Sequence, residues 1–174
     1  MEQGLVLTEP PSKNQLLQAR LAIGLVVGLV VLGVVCYGFA TETVERAWEN
    51  LLARPGGPMK FRFVLQPAMA AIVALRDGIK DARLGRRPYV WALLRGVRDS
   101  EGRSGRLWEG IVSTARILIL GVVMDVIYQL LVLKTFYPAE SAIIAILLAF
   151  VPYLLLRGPF GRAARHWVAR PMSG

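Results

Sequence analysis

Residues 21–40 form a run of twenty residues without a single charged side chain. As an α-helix such a run rises about 30 Å, the thickness of the hydrocarbon core of a bilayer. Two more apolar stretches follow at 111–133 and 141–156, separated by a tight turn. The chain is 55% hydrophobic, and its apolar residues are clustered, without a period of 3.6 or 2. We therefore expect an all-α integral membrane protein.

The first apolar run has a second reading as a cleavable signal peptide, because the small residues Gly38 and Ala40 resemble a cleavage site. The run is longer than the apolar region of most signal peptides, and two acids, Glu2 and Glu9, dilute the charge before it. An uncleaved transmembrane anchor is the favoured interpretation.

Three weaker segments complete the predicted architecture. Residues 41–54 have apolar side chains on one helical face, which suits a helix in the membrane interface or one packed on its transmembrane neighbours. Residues 61–79 contain a short apolar stretch, 63–75, which is only about 20 Å long as a helix, and we expect this segment to cross the membrane or to be re-entrant or interfacial. Residues 159–170, after a predicted break at Gly158-Pro159, read as a basic interfacial tail. The sequence thus predicts about four membrane-embedded helices, one of them short, plus amphipathic interfacial helices.

The net charge of +9 is concentrated in two stretches. Residues 76–106 carry nine basic and four acidic side chains, and residues 157–170 carry four arginines and no acid. Cytoplasmic loops of membrane proteins are rich in Lys and Arg. We therefore place the basic segment 80–106 and both termini in the cytoplasm, with residues 61–79 crossing and residues 41–54 outside. If residues 61–79 do not cross, the N-terminus lies outside.

Several kinds of chemistry lack the residues they need. Cys36 is the only cysteine and His166 the only histidine, which disfavours thiolate clusters, His-pair metal sites and catalytic triads. No glycine-rich phosphate loop is present. We expect no cofactor and no enzymatic activity. The basic character indicates anionic lipid as a partner and not nucleic acid, since aromatic residues beside cations are typical of lipid interfaces.

Two stretches carry a resemblance to a known group of proteins. The first contains FRFVLQP at 61–67 and RDGIKDAR at 76–83; the second contains MDVIYQ at 124–129, FYPAE at 136–140 and VPYLLLRGP at 151–159. They resemble a group of small, uncharacterised bacterial inner-membrane proteins, over roughly residues 61–162. The resemblance implies a multi-pass protein of the bacterial inner membrane and brings no assigned activity with it.

Asp125 is the residue most suggestive of function. An acid near the centre of a transmembrane helix costs about 2.5–3.5 kcal/mol on insertion, so it needs a reason to be there. Tyr128 and Gln129 share its helix face, and Gln66 lies at a similar depth if residues 61–79 cross. One hypothesis is an interhelical hydrogen-bond cluster. The other is a proton or cation site, which needs further acids in series.

Small and basic residues suggest contacts with partners. Gly24, Gly28 and Gly121 permit close helix packing, within the chain, with a second copy or with another membrane protein. The tail arginines are expected to face lipid: Arg162, Arg165 and Arg170. The sequence favours a non-enzymatic accessory, assembly or envelope-associated factor. The alternative is an oligomeric small transporter or channel that uses Asp125.

Overall fold

The computed structural model describes residues 11–38, 41–57, 60–86, 89 and 100–168. This part of the chain is helical and contains no strand, which confirms the all-α prediction for it. Its helices, numbered in chain order, are α1 (Lys13–Tyr37), α2 (Thr41–Ala53), α3 (Arg62–Arg83), α4 (Ser100–Tyr128), α5 (Pro138–Ala145) and α6 (Val151–Val168). A 3₁₀ turn, Arg54–Gly56, extends α2.

Three of the helices belong to two longer helical rods. The helix α4 continues through a π-helical turn, Gln129–Leu133, and a second π-helical turn, Ile146–Phe150, joins α5 to α6. The predicted break at Gly158-Pro159 is wrong, because both residues lie inside α6. The loss of one backbone hydrogen bond at a proline is tolerated where the helix is packed on both sides of it. The apolar stretch 141–156 and the basic tail are therefore one continuous helix as far as Val168.

The first helix begins two turns before the uncharged run. Ser12 caps it: its Oγ accepts from the backbone N–H of Gln15, and the Gln15 side chain accepts from the backbone N–H of Ser12. This reciprocal pair is a capping box, which satisfies two of the free N–H groups at a helix start. The helix ends at Gly38, whose φ of 66° is open to glycine without strain.

Contacts between helices fix their directions. Gln66 of α3 lies against Gly121 of α4, and Asp81 of α3 binds Arg106 of α4, so these helices are antiparallel. The helix α3 runs parallel to α6 and packs along it, with Gly78 against Gly161. We call the end with the 134–137 turn the turn end, and the other end, where α3 and α6 finish, the basic end.

The distribution of residue types is that of a protein surrounded by lipid. Small residues pack the helices together, among them Ala70, Ala74, Ala145 and Ala149, all fully buried. Large apolar side chains face outward instead, such as Val35 and Val64, which are 76% and 73% exposed. Three helices are long and apolar enough to cross a membrane: Lys13–Tyr37, Gly105–Leu133 and Pro138–His166. The helix α3 does not meet that criterion.

Candidate functional site

Asp125 lies at the centre of a buried cluster near the turn end. Its side chain is fully buried, and Oδ1 accepts hydrogen bonds from Nη1 of Arg54 and, at 2.7 Å, from Nη1 of Arg62. Oδ2 accepts at 2.8 Å from Nε2 of Gln129, one turn further along α4. The two arginines are themselves only 3% exposed. Asp125 therefore accepts charge-assisted hydrogen bonds from two buried guanidinium groups.

Glu140 extends the cluster into α5. Nη2 of Arg54 donates to Glu140 Oε2 at 2.9 Å, so the guanidinium of Arg54 spans two carboxylates. The side-chain amide of Asn50, on α2, lies 3.2 Å from each Glu140 oxygen. The two arginines and two acids balance to zero charge. We call these residues and their two neutral neighbours the Asp125 cluster: Asn50, Arg54, Arg62, Asp125, Gln129 and Glu140.

Gln129 ties the cluster to the turn between α4 and α5. Its Nε2 donates to Ser141 Oγ at 3.0 Å as well as to Asp125, and its Oε1 accepts from the backbone N–H of Tyr137 at 2.6 Å. The orientation of the Gln129 amide is therefore fixed, since reversing it puts an N–H against the backbone N–H of Tyr137. The cluster joins α2, the 3₁₀ turn, α3, α4 and α5 through side chains far apart in sequence.

Arg62 reaches the cluster from the first turn of α3. Its side chain is buried and also donates from Nη2 to the backbone oxygen of Gly121 at 3.2 Å, whereas Phe61 and Val64 beside it are exposed. Gly57 approaches Tyr128, whose Oη lies 3.0 Å from the place of a Cβ on Gly57. Gly57 and Arg62 therefore both lie against α4.

The structure brings together some of the residues predicted from the sequence and separates others. Asp125 and Gln129 are hydrogen-bonded, and the ring of Tyr128 lies 5.4 Å from the guanidinium carbon of Arg54. Gln66 is buried one turn after Arg62, and neither polar atom of its amide has a hydrogen-bond partner among the described residues. The described contacts include no bond between Gln66 and Asp125.

Of the glycines predicted to permit close helix packing, one lies between helices and two do not. A Cβ on Gly121 would lie 2.6 Å from Nε2 of Gln66 and 3.3 Å from the Cβ of Ala145, so Gly121 permits the close approach of α3 and α5. At Gly24 and Gly28 a Cβ would meet nothing within 4 Å, so these two glycines are on an open face of α1.

The predicted lipid-facing arginines also have different surroundings. Arg162 is exposed on α6. Arg165 is half-buried and donates to the backbone oxygen of Arg86, so it contacts the chain itself. Arg170 lies outside the described residues.

Sequence reasoning missed the two arginines that neutralise Asp125. It treated Arg62 as the polar boundary of a short apolar stretch, and Arg54 as the end of an amphipathic helix. A signal for Arg62 was present, because an acid inside a membrane helix requires a counter-charge and Arg62 begins the neighbouring segment. No comparable signal marks Arg54, whose position depends on how the 3₁₀ turn Arg54–Gly56 packs against α4.

A second buried charge cluster near the basic end was also missed. Arg157 of α6 is 1% exposed and donates to Asp81 at 2.9 Å, to Glu109 at 2.8 Å and to the hydroxyl of Tyr153. The Tyr153 hydroxyl in turn donates to Asp77 at 2.6 Å. Asp81 is buried, and Asp77 is half-buried.

We call the charged and tyrosine side chains around Arg157 the Arg157 cluster. Within it, Arg106 donates to Asp81 at 3.0 Å. Arg86 lies 3.8 Å from Asp81 and 3.7 Å from Glu109. Tyr89 donates to the backbone oxygen of Arg106 at 2.6 Å, and its ring lies 4.2 Å from the guanidinium carbon of Arg157. Burial raises the pKa of Tyr89 to about 12, so its hydroxyl remains a neutral donor at physiological pH.

Both clusters are suited to holding helices together. Each carboxylate described above is engaged by arginine or by a hydroxyl or amide donor. No group of three or more His, Cys, Asp or Glu side chains that could hold a metal ion occurs in the described ranges.

No family model matches the sequence, and neither the curated proteins nor the solved structures contain a match.

Proposed function

We propose that the chain is a non-enzymatic multi-pass protein of the bacterial inner membrane that acts by binding other membrane components. Its role would be that of an accessory, assembly or envelope-associated factor. One observation carries the proposal: Asp125, the acid most suggestive of transport chemistry, is occupied by Arg54, Arg62 and Gln129. An acid whose two oxygens are occupied by arginines and an amide from other parts of the chain is suited to holding helices together.

The proposed topology has four membrane-embedded segments with both termini in the cytoplasm. The positive-inside rule supports it, because exposed basic side chains gather at the basic end, among them Arg76, Lys80, Arg83 and Arg162. In this arrangement α3 is the short crossing, and its direction between α4 and α6 agrees with an outside-to-inside passage. Its length is sufficient, because its 22 residues rise about 33 Å as a helix.

Affinity purification tests the binding role directly. Tagged protein extracted in a mild detergent after cross-linking in cells should carry a membrane component in fixed stoichiometry. A variant with a disrupted Asp125 cluster, Asp125→Asn, should lose that component, whereas Arg116→Gln, an exposed change on the same helix, should keep it. Purification of the cross-linked chain without any partner, in the wild type and both variants, would contradict the proposal.

A second candidate function is an oligomeric transporter or channel that uses Asp125. The observation that favours it is the buried amide of Gln66, one turn from Arg62, whose two polar atoms have no hydrogen-bond partner among the described residues. Interrupted helices with buried polar groups form ion sites in transporters. Proton or cation flux in liposomes that Asp125→Asn abolishes, and Arg116→Gln leaves intact, would establish this function in place of the first.

A further inference from the structure

Two apolar grooves flank α2 where it rests on α5. The first has a volume of about 190 Å³ and lies between α1, α2 and α5, with Val34, Ala47 and Ile143 in its wall. The second has a volume of about 270 Å³ and lies on the other side of α2, with Trp48 and Leu51 added. Ala47 and Ile143 line both grooves, so the two meet beneath α2. For comparison, an apolar cavity of about 150 Å³ holds a benzene-sized molecule. Each groove therefore has room for a segment of hydrocarbon chain.

The first groove also has a cation at its edge. Arg46 lines it, with its guanidinium carbon 4.4 Å from the ring centre of Tyr137 and 5.4 Å from that of Tyr37. These rings hold the arginine in place by cation–π contact. Its Nε is buried and has no hydrogen-bond partner in the part of the chain that the structure describes.

No acid in the groove neutralises Arg46 by direct contact. Glu140 lines the same groove, but both its oxygens are engaged by Asn50 and Arg54. Arg46 forms no ion pair with any described acid, whereas Arg54 and Arg62 each form at least one. Glu45 and Glu49 of α2 are exposed, and neither forms an ion pair with Arg46, so its guanidinium has no ion-pair partner among the described residues. An anionic group at the mouth of the groove would provide one.

We propose that this groove binds one anionic phospholipid, with an acyl chain along Val34 and Ile143 and the headgroup phosphate on Arg46. The surrounding residues support that choice of ligand. Tyr37, Tyr137 and the exposed Trp48 lie at the level of Arg46, and such aromatic side chains mark the headgroup level of a bilayer. An apolar wall below a cation is the arrangement that a phospholipid needs. The inference goes beyond the proposed function and requires only that α1 and α5 lie in lipid.

Native mass spectrometry of the delipidated full-length protein tests the site. Titrated with phosphatidylglycerol, the wild type should bind one lipid at high affinity, and Arg46→Gln should bind it about tenfold more weakly, as expected for a charge-assisted hydrogen bond. Arg83→Gln, an exposed change at the basic end, is the matched control and should bind like the wild type. The wild type and Arg83→Gln should bind phosphatidylcholine more weakly than phosphatidylglycerol, whereas Arg46→Gln should bind the two lipids equally.

Two further variants keep the test decisive if Arg46→Gln does not fold. Arg46→Lys retains the positive charge and should still bind the lipid. Ile143→Trp leaves Arg46 unchanged but fills the groove, so it should exclude the acyl chain. Equal binding of phosphatidylglycerol by the wild type, Arg46→Gln and Ile143→Trp would overturn the proposal. Equal affinity of the wild type for the two lipids would overturn the role of Arg46.

Discussion

Replacing Asp125 by Asn is the change that most directly probes the Asp125 cluster. Asn retains an oxygen that accepts from one arginine, but it removes the negative charge. Arg54 keeps its ion pair with Glu140, whereas the other hydrogen bond of Arg62 goes to a backbone oxygen. The new amide N–H₂ also faces Nε2 of Gln129, which cannot turn away because its Oε1 is engaged. The buried guanidinium of Arg62 is left without a counter-charge, and one N–H donor is left without an acceptor.

The structure therefore predicts a large loss of stability. Removing one partner of a buried ion pair costs about 3–5 kcal/mol. The free energy of unfolding, measured by SDS titration in mixed micelles with far-UV circular dichroism, should fall by that amount in Asp125→Asn. The matched control is Arg116→Gln on the same helix, which removes an exposed hydrogen bond to Gln18 and should cost less than about 1 kcal/mol.

A double variant separates the loss of charge balance from other effects of Asn at this position. Combining Asp125→Asn with Arg62→Gln removes the unbalanced guanidinium together with the carboxylate. The double variant should recover about 2 kcal/mol or more relative to Asp125→Asn alone. If Asp125→Asn is as stable as Arg116→Gln, or if Arg62→Gln brings no recovery, the reasoning about the cluster is refuted.

Three further changes test other parts of the fold by the same unfolding measurement. Arg157→Gln removes the buried guanidinium that Asp81 and Glu109 share and should cost about 3 kcal/mol or more; a neutral result would remove the Arg157 cluster from the account. Gly78→Ala should cost about 1–3 kcal/mol, because its Cβ would lie 2.9 Å from a backbone nitrogen of α6, while Gly28→Ala on the open face of α1 should cost nothing. Gln66→Leu removes two buried amide atoms without hydrogen-bond partners among the described residues, so the free energy of unfolding should stay unchanged or rise by about 1–2 kcal/mol. A clear loss of stability would show that the Gln66 amide is hydrogen-bonded.

The helices were predictable because their signals are local. The apolar run that begins at residue 21 is helical as far as Tyr37, and the runs 111–133 and 141–156 are helical throughout, since lipid requires every backbone group to be satisfied within the segment. The break at Gly158-Pro159 was wrong because packing of α6 against α3 decides whether a helix continues past a proline, and packing is not local.

The candidate site was predictable in part for the same reason. Asp125 and Gln129 are four residues apart on one helix, so their contact follows from helical geometry. Asp125 and Arg54 are 71 positions apart in the sequence, so their pairing depends on how α2 and the 3₁₀ turn after it pack against α4. The cost of burying an acid indicates that a counter-charge exists, but not which of several arginines provides it.

The central claim is that α3 carries the chain across the membrane between the two charge clusters. Labelling with a membrane-impermeant maleimide in intact cells tests it, in a Cys36→Ser background that removes the only cysteine. Glu49→Cys on α2 and Arg83→Cys at the end of α3 are both exposed positions. The account predicts that Glu49→Cys is labelled in intact cells and Arg83→Cys only after permeabilisation. Labelling of both positions under the same condition would place them on one side and contradict the crossing.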